Sequence, residues 1–512
     1  MSLAVVASRA LDGLAAPEVR VEVHLANGLP SFTLVGLADT EVKEARERVR
    51  AALAESGFAF PHNKRITVNL APADLPKESG RFDLPIALGI LAAQGIVDAR
   101  RLEGIEFAGE LSLAGELRPI RGALALALAA RKADPQPRLV LPKSSAAEAA
   151  RVEGLDIRSA CHLSDVVRAL LPTDESGATR PELPHAVAEA AVPTSQALDL
   201  REVKGQAGAK RALEIAAAGA HSLLLVGPPG TGKSMLAQRL SGLLPPMTDE
   251  EALSTAALHS VSARGFDPSR WRQRPMRHPH HSASAVALVG GGSPPRPGEI
   301  SLAHGGVLFL DELPEFPRSA LEALREPLET GQITISRAAR QANYPARFQL
   351  VAAMNPCPCG WLGAFAATGK SCRCSPEAVA RYQAKLSGPL LDRIDMQVEV
   401  PAIGAAALMA APDGDTSAVV AARVAEARER QLARQAVANG ELAAGALDAA
   451  CRMDAAAAHF LQSVAARLGW SGRSVHRVMK LARTIADLAG ADAVGTPAIA
   501  EAVQYRRALP ES

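Results

Sequence analysis

Aromatic residues are scarce in this chain of 512 residues, where Phe, Trp and Tyr together make up 3% of the sequence. Hydrophobic residues as a whole reach 48%, which is enough for sizeable buried cores. Leu, Val, Ile and Ala must therefore fill those cores, and alanine-rich helices are expected because Ala has the highest helix propensity. The length suggests roughly three domains.

The sequence also lacks segments that would direct it to a membrane. No uninterrupted apolar stretch is as long as a membrane span, and residues 1–10 lack the basic region and apolar core of a signal peptide. We therefore predict a cytoplasmic protein without a membrane partner. The formal net charge of +2 excludes a strong overall field, so any contact with DNA must come from local basic clusters.

One glycine-rich stretch carries a strong chemical signal. Residues 227–234 read GPPGTGKS, after the apolar run 222–226 and before the helix-like segment 235–243. Strand, glycine-rich loop and helix are the context of a phosphate-binding loop, in which backbone N–H groups and the helix start surround the phosphates. The predicted ATP-binding residues are Gly227, Pro228, Pro229, Gly230, Thr231, Gly232, Lys233 and Ser234. The alternative is a chance Gly/Pro turn before a helix.

Two residues of this loop and two carboxylates of a second motif have predicted roles in ATP hydrolysis. Lys233 would neutralise the β- and γ-phosphates, and Ser234 would hold Mg²⁺. Residues 307–312 form an apolar strand that ends in two carboxylates. Asp311 would complete the Mg²⁺ shell and Glu312 would polarise the attacking water, because the carboxyl end of such a strand lies beside the phosphate loop. The alternative is an ordinary strand followed by an acidic turn.

The run GEISLAHGGVLFLDELPEF, residues 298–316, resembles the magnesium-chelatase-like branch of the AAA+ ATPases. Within that branch the chain is most similar, over nearly its whole length, to the ComM/YifB family. The resemblance implies an α/β fold, namely an AAA+ P-loop NTPase core with a helical lid, preceded by a Lon-protease-like α/β domain. It implies an ATP-driven motor that remodels DNA, a branch-migration helicase acting on recombination intermediates in natural transformation.

Three further segments match this branch. FQLVAAMNP ends near Asn355, which resembles the sensor 1 position, where an amide can hydrogen-bond the attacking water or the γ-phosphate. Arg393 lies in LSGPLLDRID, which resembles the arginine-finger segment that reaches a neighbour's γ-phosphate. Arg473 lies in SGRS, which resembles sensor 2. For each arginine the alternative is a surface ion pair. A finger that acts in trans requires a homo-oligomer, and the resemblance implies a hexameric ring.

Contact with DNA is expected at a predicted hairpin, residues 331–345. In this branch such a hairpin projects into the central channel, where Arg337 and Arg340 would meet phosphates independently of base sequence. The alternative is a solvated turn. An insertion at 277–297 contains three histidines but no Cys or carboxylate at metal spacing, so a mobile channel loop is preferred to a metal site. The basic segment 270–277 is a candidate DNA-facing or subunit-facing surface.

Four of the six cysteines, Cys357, Cys359, Cys372 and Cys374, form a C-x-C pair, twelve intervening residues and a second C-x-C pair. Four thiolates can surround Zn²⁺ tetrahedrally, although C-x-C pairs are tighter than the usual zinc spacing. Structural zinc is therefore predicted, with reduced free thiols as the alternative. Cys161 and Cys451 are expected to be ordinary core residues.

Residues 1–171 resemble the Lon-type proteolytic domain through LPKESG at 75–80, DLPIA at 83–87 and GELSL at 109–113. That chemistry needs a Ser nucleophile activated by a Lys. Here Asp83 stands at the Ser place and Leu124 at the Lys place. Lys77 and Ser79 are two apart on an irregular loop, so a substitute dyad is not expected. We predict an inactive scaffold for ring assembly or DNA contact.

The predicted domains are the Lon-protease-like domain at 1–171, a linker at 172–197, the ATPase core at 198–401 and a helical lid at 402–512. Three rival functions remain open, namely a chelatase-type motor for metal insertion, an ATP-dependent protease and a non-enzymatic scaffold. The predicted strands are 19–23, 66–70, 222–226, 306–310, 348–353 and 396–400, and the predicted helices include 41–56, 416–438 and 474–489.

Overall fold

The computed structural model describes residues 3–36, 44–75, 77, 80–171, 181–190, 198–292, 295–337, 340–365, 369–404, 409 and 414–506. The chain divides into two compact units. The first comprises residues 1–193, 252–271 and 342–344, and the second comprises residues 194–251, 272–341 and 345–512. Parts of the predicted linker, 172–180 and 191–197, lie outside the described residues.

A mixed seven-stranded sheet forms the centre of the first unit, in the order β3-β4-β2-β1-β5-β8-β9. Valines at 19, 21 and 23 are buried while their neighbours are more exposed, because side chains alternate between the faces of a strand. The strands of this unit are β1 (Leu3–Arg9), β2 (Glu18–Asn27), β3 (Ser31–Val35), β4 (Lys64–Ala71), β5 (Ile105–Phe107), β6 (Glu110–Leu111), β7 (Leu117–Arg118), β8 (Arg138–Pro142) and β9 (Ile157–Ala160).

Helices cover this sheet, and one of them is buried on every side. The helices are α1 (Ala45–Glu55), α2 (Asp83–Ala93), α3 (Ala123–Arg131), α4 (Lys143–Ala149) and α5 (Leu163–Leu170). All residues of α2 are buried, as expected for a helix that is apolar around its whole circumference. Gly89 of α2 lies so close to β2 that a Cβ atom would come within 2.5 Å of Val23 Cγ2, so the helix packs tightly on the sheet.

The second unit is built on a five-stranded parallel sheet in the order β11-β14-β17-β10-β18. Strands β10, β14 and β17 are buried along their whole lengths, which is typical of parallel strands covered on both faces. Their carboxyl ends therefore lie side by side at one edge. The strands of this unit are β10 (Leu223–Val226), β11 (Met276–Arg277), β12 (Gly290–Gly291), β13 (Arg296–Pro297), β14 (Val307–Leu310), β15 (Gln332–Arg337), β17 (Gln349–Met354) and β18 (Met396–Glu399). Strand β16 (Arg340–Pro345) is divided between the units, since its residues 342–344 belong to the first.

Most of the remaining helices pack around this sheet or follow it in the chain. They are α6 (Ala207–Gly219), α7 (Lys233–Leu240), α8 (Asp249–Ser260), α9 (Ala285–Val289), α10 (Glu299–Leu302), α11 (Arg318–Glu322), α12 (Arg325–Thr330), α13 (Pro376–Gln383), α14 (Gly388–Leu391), α15 (Ser417–Gln435), α16 (Leu447–Ala450), α17 (Ala455–Leu468), α18 (Gly472–Leu488) and α19 (Thr496–Gln504). The C-terminal helices α15 and α17–α19 share one hydrophobic core with β10, α6 and α7. None of the described helices is both long and apolar enough to cross a lipid bilayer.

A buried polar network fixes two of these C-terminal helices to each other. Asp487 of α18 accepts two hydrogen bonds of 2.8 Å from Arg434 of α15 and one of 2.8 Å from Asn439 Nδ2. Arg483, one turn earlier in α18, donates to the same carboxylate at 3.1 Å. Because Asp487 is only 1% exposed, its charge depends on these donors for stabilisation.

The predicted strands at 19–23, 66–70, 222–226, 306–310, 348–353 and 396–400 are confirmed to within a few residues at their ends, as are the three predicted helices. Residues 41–43 of the first of those helices lie outside the described part of the chain. The edge strand β11 was not predicted, because it has two residues and shows no alternation. The expectation for Cys161 is wrong: it is exposed in the turn after β9, whereas Cys451 is buried as expected.

Candidate functional site

The predicted phosphate loop joins the end of β10 to the start of α7. Gly227 lies against the strand β18 side of the sheet, where a Cβ atom would come within 2.1 Å of the Val400 carbonyl oxygen. Gly230 and Gly232 have φ angles of 77° and 89°, which L side chains rarely adopt. The close approach to Val400 therefore requires glycine at 227, and the left-handed backbone favours glycine at 230 and 232.

Lys233 lies at the start of α7 and is 8% exposed. Its ammonium group donates to the carbonyl oxygens of Gly227 and Pro228 at 2.7 and 2.8 Å, and to Asn355 Oδ1 at 3.1 Å. Burial lowers the pKa of Lys233 to about 8, although the charges of Asp311 and Glu312 raise it. The predicted sensor residue Asn355, at the end of β17, therefore contacts the predicted phosphate-binding lysine directly.

Ser234 and Asp311 also meet, although 77 positions separate them. The Ser234 hydroxyl donates to Asp311 Oδ2 at 2.6 Å. A hydroxyl and a carboxylate are the hard oxygen ligands that suit Mg²⁺, so this pair fits the ion that the sequence predicts there. The carboxyl ends of β10, β14 and β17 thus bring four of the predicted residues, Lys233, Ser234, Asp311 and Asn355, into one cluster.

Glu312 follows Asp311 with an unusual backbone. Its φ angle is 53°, in the left-handed region that costs a residue with a side chain about 1 kcal/mol or more. Its N–H donates to Asp311 Oδ1 at 2.9 Å, and its half-exposed carboxylate lies 3.0 Å from His281 Nδ1. Sequence reasoning weighed His281 only as a metal ligand and missed this contact, which joins two segments 31 positions apart.

Gln206 is a second residue that sequence reasoning missed. Its side chain is 7% exposed, and its Nε2 donates to the Thr231 carbonyl at 3.1 Å and to the Pro401 carbonyl at 2.8 Å. The residue therefore ties the phosphate loop to the chain just after β18. A single glutamine before a helix forms no recognisable motif, so no sequence signal marks it.

The predicted arginine finger and sensor 2 form another group, around Glu329 of α12. Arg393 Nη2 lies 2.5 Å from Glu329 Oε1, and its Nη1 donates to the Pro389 carbonyl at 2.7 Å. Arg473 Nη1 lies 4.0 Å from the same Glu329 oxygen and is 71% exposed. Arg393 in this protomer thus contacts Glu329, and Arg473 is the more accessible of the two. Glu329 was not predicted.

The four clustered cysteines meet in space. Their Sγ atoms all lie within 4.8 Å of one another. Three of the separations are 3.4, 3.7 and 3.6 Å, between Cys357 and Cys359, Cys357 and Cys372, and Cys359 and Cys372. Thiolates at about 2.3 Å from a tetrahedral zinc ion stand about 3.8 Å apart. The cluster could therefore hold a metal ion, and within the described ranges it is the only group of His, Cys, Asp and Glu side chains with this geometry.

Backbone N–H groups support thiolate formation in this cluster. Hydrogen bonds from the N–H groups of Arg373 and Trp361 lower the pKa of Cys359 to about 6. The Cys357 side chain is buried, which raises its pKa, and the Leu362 N–H opposes this effect. N–H donors to ligand sulfurs are common around structural metal ions, where they orient the thiolates.

Three arginines of the basic segment 270–277 pair with carboxylates of the chain. Arg277 donates to both carboxylate oxygens of Glu299 at 2.6 and 2.7 Å. Arg274 pairs with Glu251 at 3.1 Å and donates to the Gly305 carbonyl, and Arg272 pairs with Asp249. These arginines therefore serve ion pairs within the chain.

The predicted hairpin at 331–345 is present, since β15 and β16 pair in a two-stranded sheet. Arg337 ends β15 and Arg340 begins β16. The tip, residues 338–339, lies outside the described residues. The backbone thus agrees with the predicted hairpin, while the role of its arginines stays a prediction.

Asp83, which the Lon-type resemblance aligns with the nucleophilic Ser of that family, forms a buried ion pair. Asp83, the first residue of α2, is fully buried and accepts from Arg48 at 2.6 and 3.1 Å and from the Leu111 N–H at 3.2 Å. Burial raises the pKa of Asp83 to about 6 against the effect of Arg48. Leu124 is buried in α3, Lys77 is buried with a lowered pKa, and Ser79 lies outside the described residues.

Family comparisons cover nearly all of the chain. Residues 199–408 match the family described as "Magnesium chelatase, subunit ChlI", residues 21–145 match "Subunit ChlI of Mg-chelatase", and residues 414–506 match "Magnesium chelatase, subunit ChlI C-terminal". These matches support a P-loop NTPase core of the AAA+ type in the second unit, consistent with ATPase activity. No comparison identifies the first unit as a Lon-type domain.

Individual relatives align from end to end. The chain is 51% identical to "Competence protein ComM" of Haemophilus influenzae, over 99% of this chain and 98% of that protein. It is 49% identical to YifB of Salmonella typhimurium and 48% identical to YifB of Escherichia coli, each over 99% of this chain and 97% of the relative.

Proposed function

Because the chain belongs to the ComM/YifB family of magnesium-chelatase-like proteins, we propose that it is an ATP-driven motor that remodels DNA. Its substrate is branched or single-stranded DNA, and its specific activity is branch migration of recombination intermediates during natural transformation. The observation that carries the proposal is the contact of Lys233, Ser234, Asp311 and Asn355 at one sheet edge, in a chain that aligns along its length with a competence protein.

Each residue of the nucleotide site has a separate role in ATP hydrolysis. Lys233 binds the β- and γ-phosphates, Asn355 positions the γ-phosphate or the water, and Glu312 orients the water for attack. Mg²⁺, held by Ser234 and Asp311, would neutralise charge on the β- and γ-oxygens. The 2.6 Å hydrogen bond between Ser234 and Asp311 supports this assignment, because it brings both oxygen ligands to one point.

Assembly completes the proposed motor. Arg393 supplies positive charge to the γ-phosphate of a neighbouring subunit, and Arg473 senses nucleotide state within the same chain. A ring of identical subunits, a hexamer by the family resemblance, provides such a neighbour for every site. The paired strands β15 and β16 support the further proposal that Arg337 and Arg340 contact DNA phosphates in the channel.

The decisive assay measures ATP hydrolysis with linear, forked and four-way DNA. Branched DNA should stimulate hydrolysis and should be resolved, whereas Lys233→Ala should bind nucleotide poorly and Glu312→Gln should trap bound ATP. Arg337→Ala/Arg340→Ala should retain basal hydrolysis and lose DNA movement. A protein that neither hydrolyses ATP nor responds to any of these DNA forms would refute the proposal.

A chelatase-type motor is the second candidate, because the matching families are described as magnesium chelatase subunits. The two functions share the nucleotide site and differ in what stimulates it. If porphyrin and a partner protein raise the hydrolysis rate while four-way DNA does not, the chelatase function replaces the DNA motor. Proteolysis is disfavoured, since the buried pair of Asp83 and Arg48 occupies the nucleophile's place.

The cysteine cluster belongs to the same proposal and holds Zn²⁺ as a structural ion. Four sulfurs within 4.8 Å of one another support zinc over free thiols, which have no reason to converge. Purified protein should contain about one zinc per chain. Folded protein that contains no metal and loses nothing on treatment with a chelator would remove this assignment.

A further inference from the structure

The first C-x-C pair of the cysteine cluster is joined on both sides to residues of the nucleotide site. Asn355, which contacts Lys233 at 3.1 Å, precedes the first cysteine by two positions. Its backbone N–H donates to the Tyr382 hydroxyl, and Gln383 Nε2 donates to the Pro356 carbonyl at 3.1 Å. The chain therefore passes from strand β17 through the predicted sensor directly into the cluster.

Gly360, which directly follows Cys359, lies against the phosphate loop. A Cβ atom at this position would come within 2.6 Å of Pro229 Cδ and 2.7 Å of Pro229 Cγ. The backbone of Gly360 thus packs on the Pro229 ring without space for a methyl group. Its φ angle is 81°, and its N–H donates to the Cys357 carbonyl at 3.0 Å, which closes the turn between the first two cysteines.

Among the described residues, few apolar side chains of this segment are fully buried. Cys357 is buried, but Cys359, Cys372 and Cys374 are only partly so, and the neighbouring Leu362 and Phe365 are 38% and 63% exposed. A short segment with few buried apolar side chains gains most of its order from a bound metal, because in small zinc sites the free energy of metal binding is the free energy of folding. The position of Gly360 against Pro229 therefore depends on the four sulfurs being held together.

We propose that the zinc-bound cysteine turn is a brace for the phosphate loop, so that nucleotide binding at Lys233 requires an intact cluster more than 120 positions away in sequence. The inference rests on the proposed ATP site and adds its dependence on a metal. Gly360 acts as a positioning residue through Pro229, and Asn355 is positioned from the other side. Loss of zinc would free the turn, withdraw both contacts and loosen the loop that must close around the phosphates.

The test measures zinc content and nucleotide affinity together in full-length protein, with a fluorescent ATP analogue as the probe. Zinc removal by a chelator should weaken affinity about 10- to 100-fold, the range seen when supporting contacts of a metal site are lost, and added zinc should restore it. Cys359→Ser should behave like chelated protein. Cys161→Ser is the matched control, since that exposed cysteine lies outside the cluster.

Two glycine variants distinguish the effect of the contact with Pro229 from the effect of zinc binding. Gly360→Ala and Gly363→Ala both place a side chain on left-handed backbone, with φ of 81° and 76°, but only the first methyl group meets Pro229. Gly360→Ala should keep its zinc and lose nucleotide affinity by about tenfold or more, whereas Gly363→Ala should keep both.

The outcomes distinguish the two proposals. If zinc-loaded wild-type protein binds no nucleotide, the proposed function fails. If it binds nucleotide equally well with and without zinc, or if the two glycine variants bind alike, only the brace is refuted. Should Gly360→Ala lose its zinc, the chelator series on wild-type protein decides alone.

Discussion

Lys233 is largely withdrawn from water, and its ammonium group lies 2.7 and 2.8 Å from two carbonyl oxygens of its own loop. Burial lowers its pKa to about 8, so half of the free protein has lost this charge at about pH 8. Phosphates favour the charged form, so nucleotide affinity should be constant from pH 6 to 7 and should fall above pH 8, approaching tenfold per pH unit.

Titration calorimetry or fluorescence binding across pH 6–10 would test this expectation. Lys233→Arg is the control, because a guanidinium keeps its charge throughout this range. The variant should bind more weakly overall but without the alkaline decline. An identical decline in both proteins would assign the effect to another group.

Glu312, the residue proposed to activate the water, has a strained backbone. Because its φ is 53°, Glu312→Gly should unfold at a higher temperature than Glu312→Ala, by about 1 kcal/mol in stability. Both variants lose the carboxylate and its contact with His281, so the comparison isolates the backbone term. Thermal unfolding measures it, and equal stability of the two variants would contradict the strain.

Among single residues, the sequence identified those that belong to continuous motifs. Lys233, Ser234 and Asp311 lie in motifs whose spacing is fixed by a strand and a helix, and the structure brings them together as expected. His281 and Glu329 were missed because each is defined by a partner far away in the chain. A pairing of this kind depends on tertiary packing, for which a single sequence contains no local signal.

Among the elements, helices α15 and α18 depend on the carboxylate of Asp487. Three donor side chains surround it at 1% exposure. Asp487→Ala should destabilise the second unit by roughly 3–5 kcal/mol, because two arginines lose their buried counter-charge. Denaturant unfolding would measure the loss.

The matched control for this prediction is Glu426→Ala on helix α15, the helix that supplies Arg434 to the Asp487 network. Glu426 faces Arg430 at 3.8 Å with 66% of its side chain exposed. This substitution should change stability by about 0.5 kcal/mol or less. A comparable loss in both variants would mean that the Asp487 network contributes no more than a surface pair.

Elements were predictable where composition and periodicity agree. The buried runs of β10, β14 and β17 and the long helix α15 were found with small errors at their ends. Strand β11 escaped prediction because its two residues, Met276 and Arg277, gain their extended form only by pairing with β14. The arginines beside it pair with carboxylates that lie elsewhere in the sequence, and their role as a DNA-facing or subunit-facing surface stays a prediction.

At the scale of the whole molecule, the proposed role of Arg393 predicts the ATPase activity of mixed variant subunits. Lys233→Ala and Arg393→Ala proteins should each hydrolyse ATP poorly. If Arg393 acts across a subunit boundary, random mixing should restore activity, because roughly a quarter of the interfaces then pair an intact loop with an intact arginine. Steady-state ATPase of mixed and unmixed proteins would measure it. No recovery after verified subunit exchange would place the action of Arg393 within one chain.

One carboxylate oxygen of Glu329, Oε1, faces two arginines, Arg393 at 2.5 Å and Arg473 at 4.0 Å. If Arg393 binds the triphosphate of a neighbouring subunit, as proposed, its guanidinium must move away from this Glu329 oxygen. The carboxylate is then left to Arg473 alone, which can draw closer and carry the C-terminal helices with it. This exchange of partners would couple nucleotide binding in a neighbouring subunit to the position of the C-terminal helices in the chain that contains Arg393.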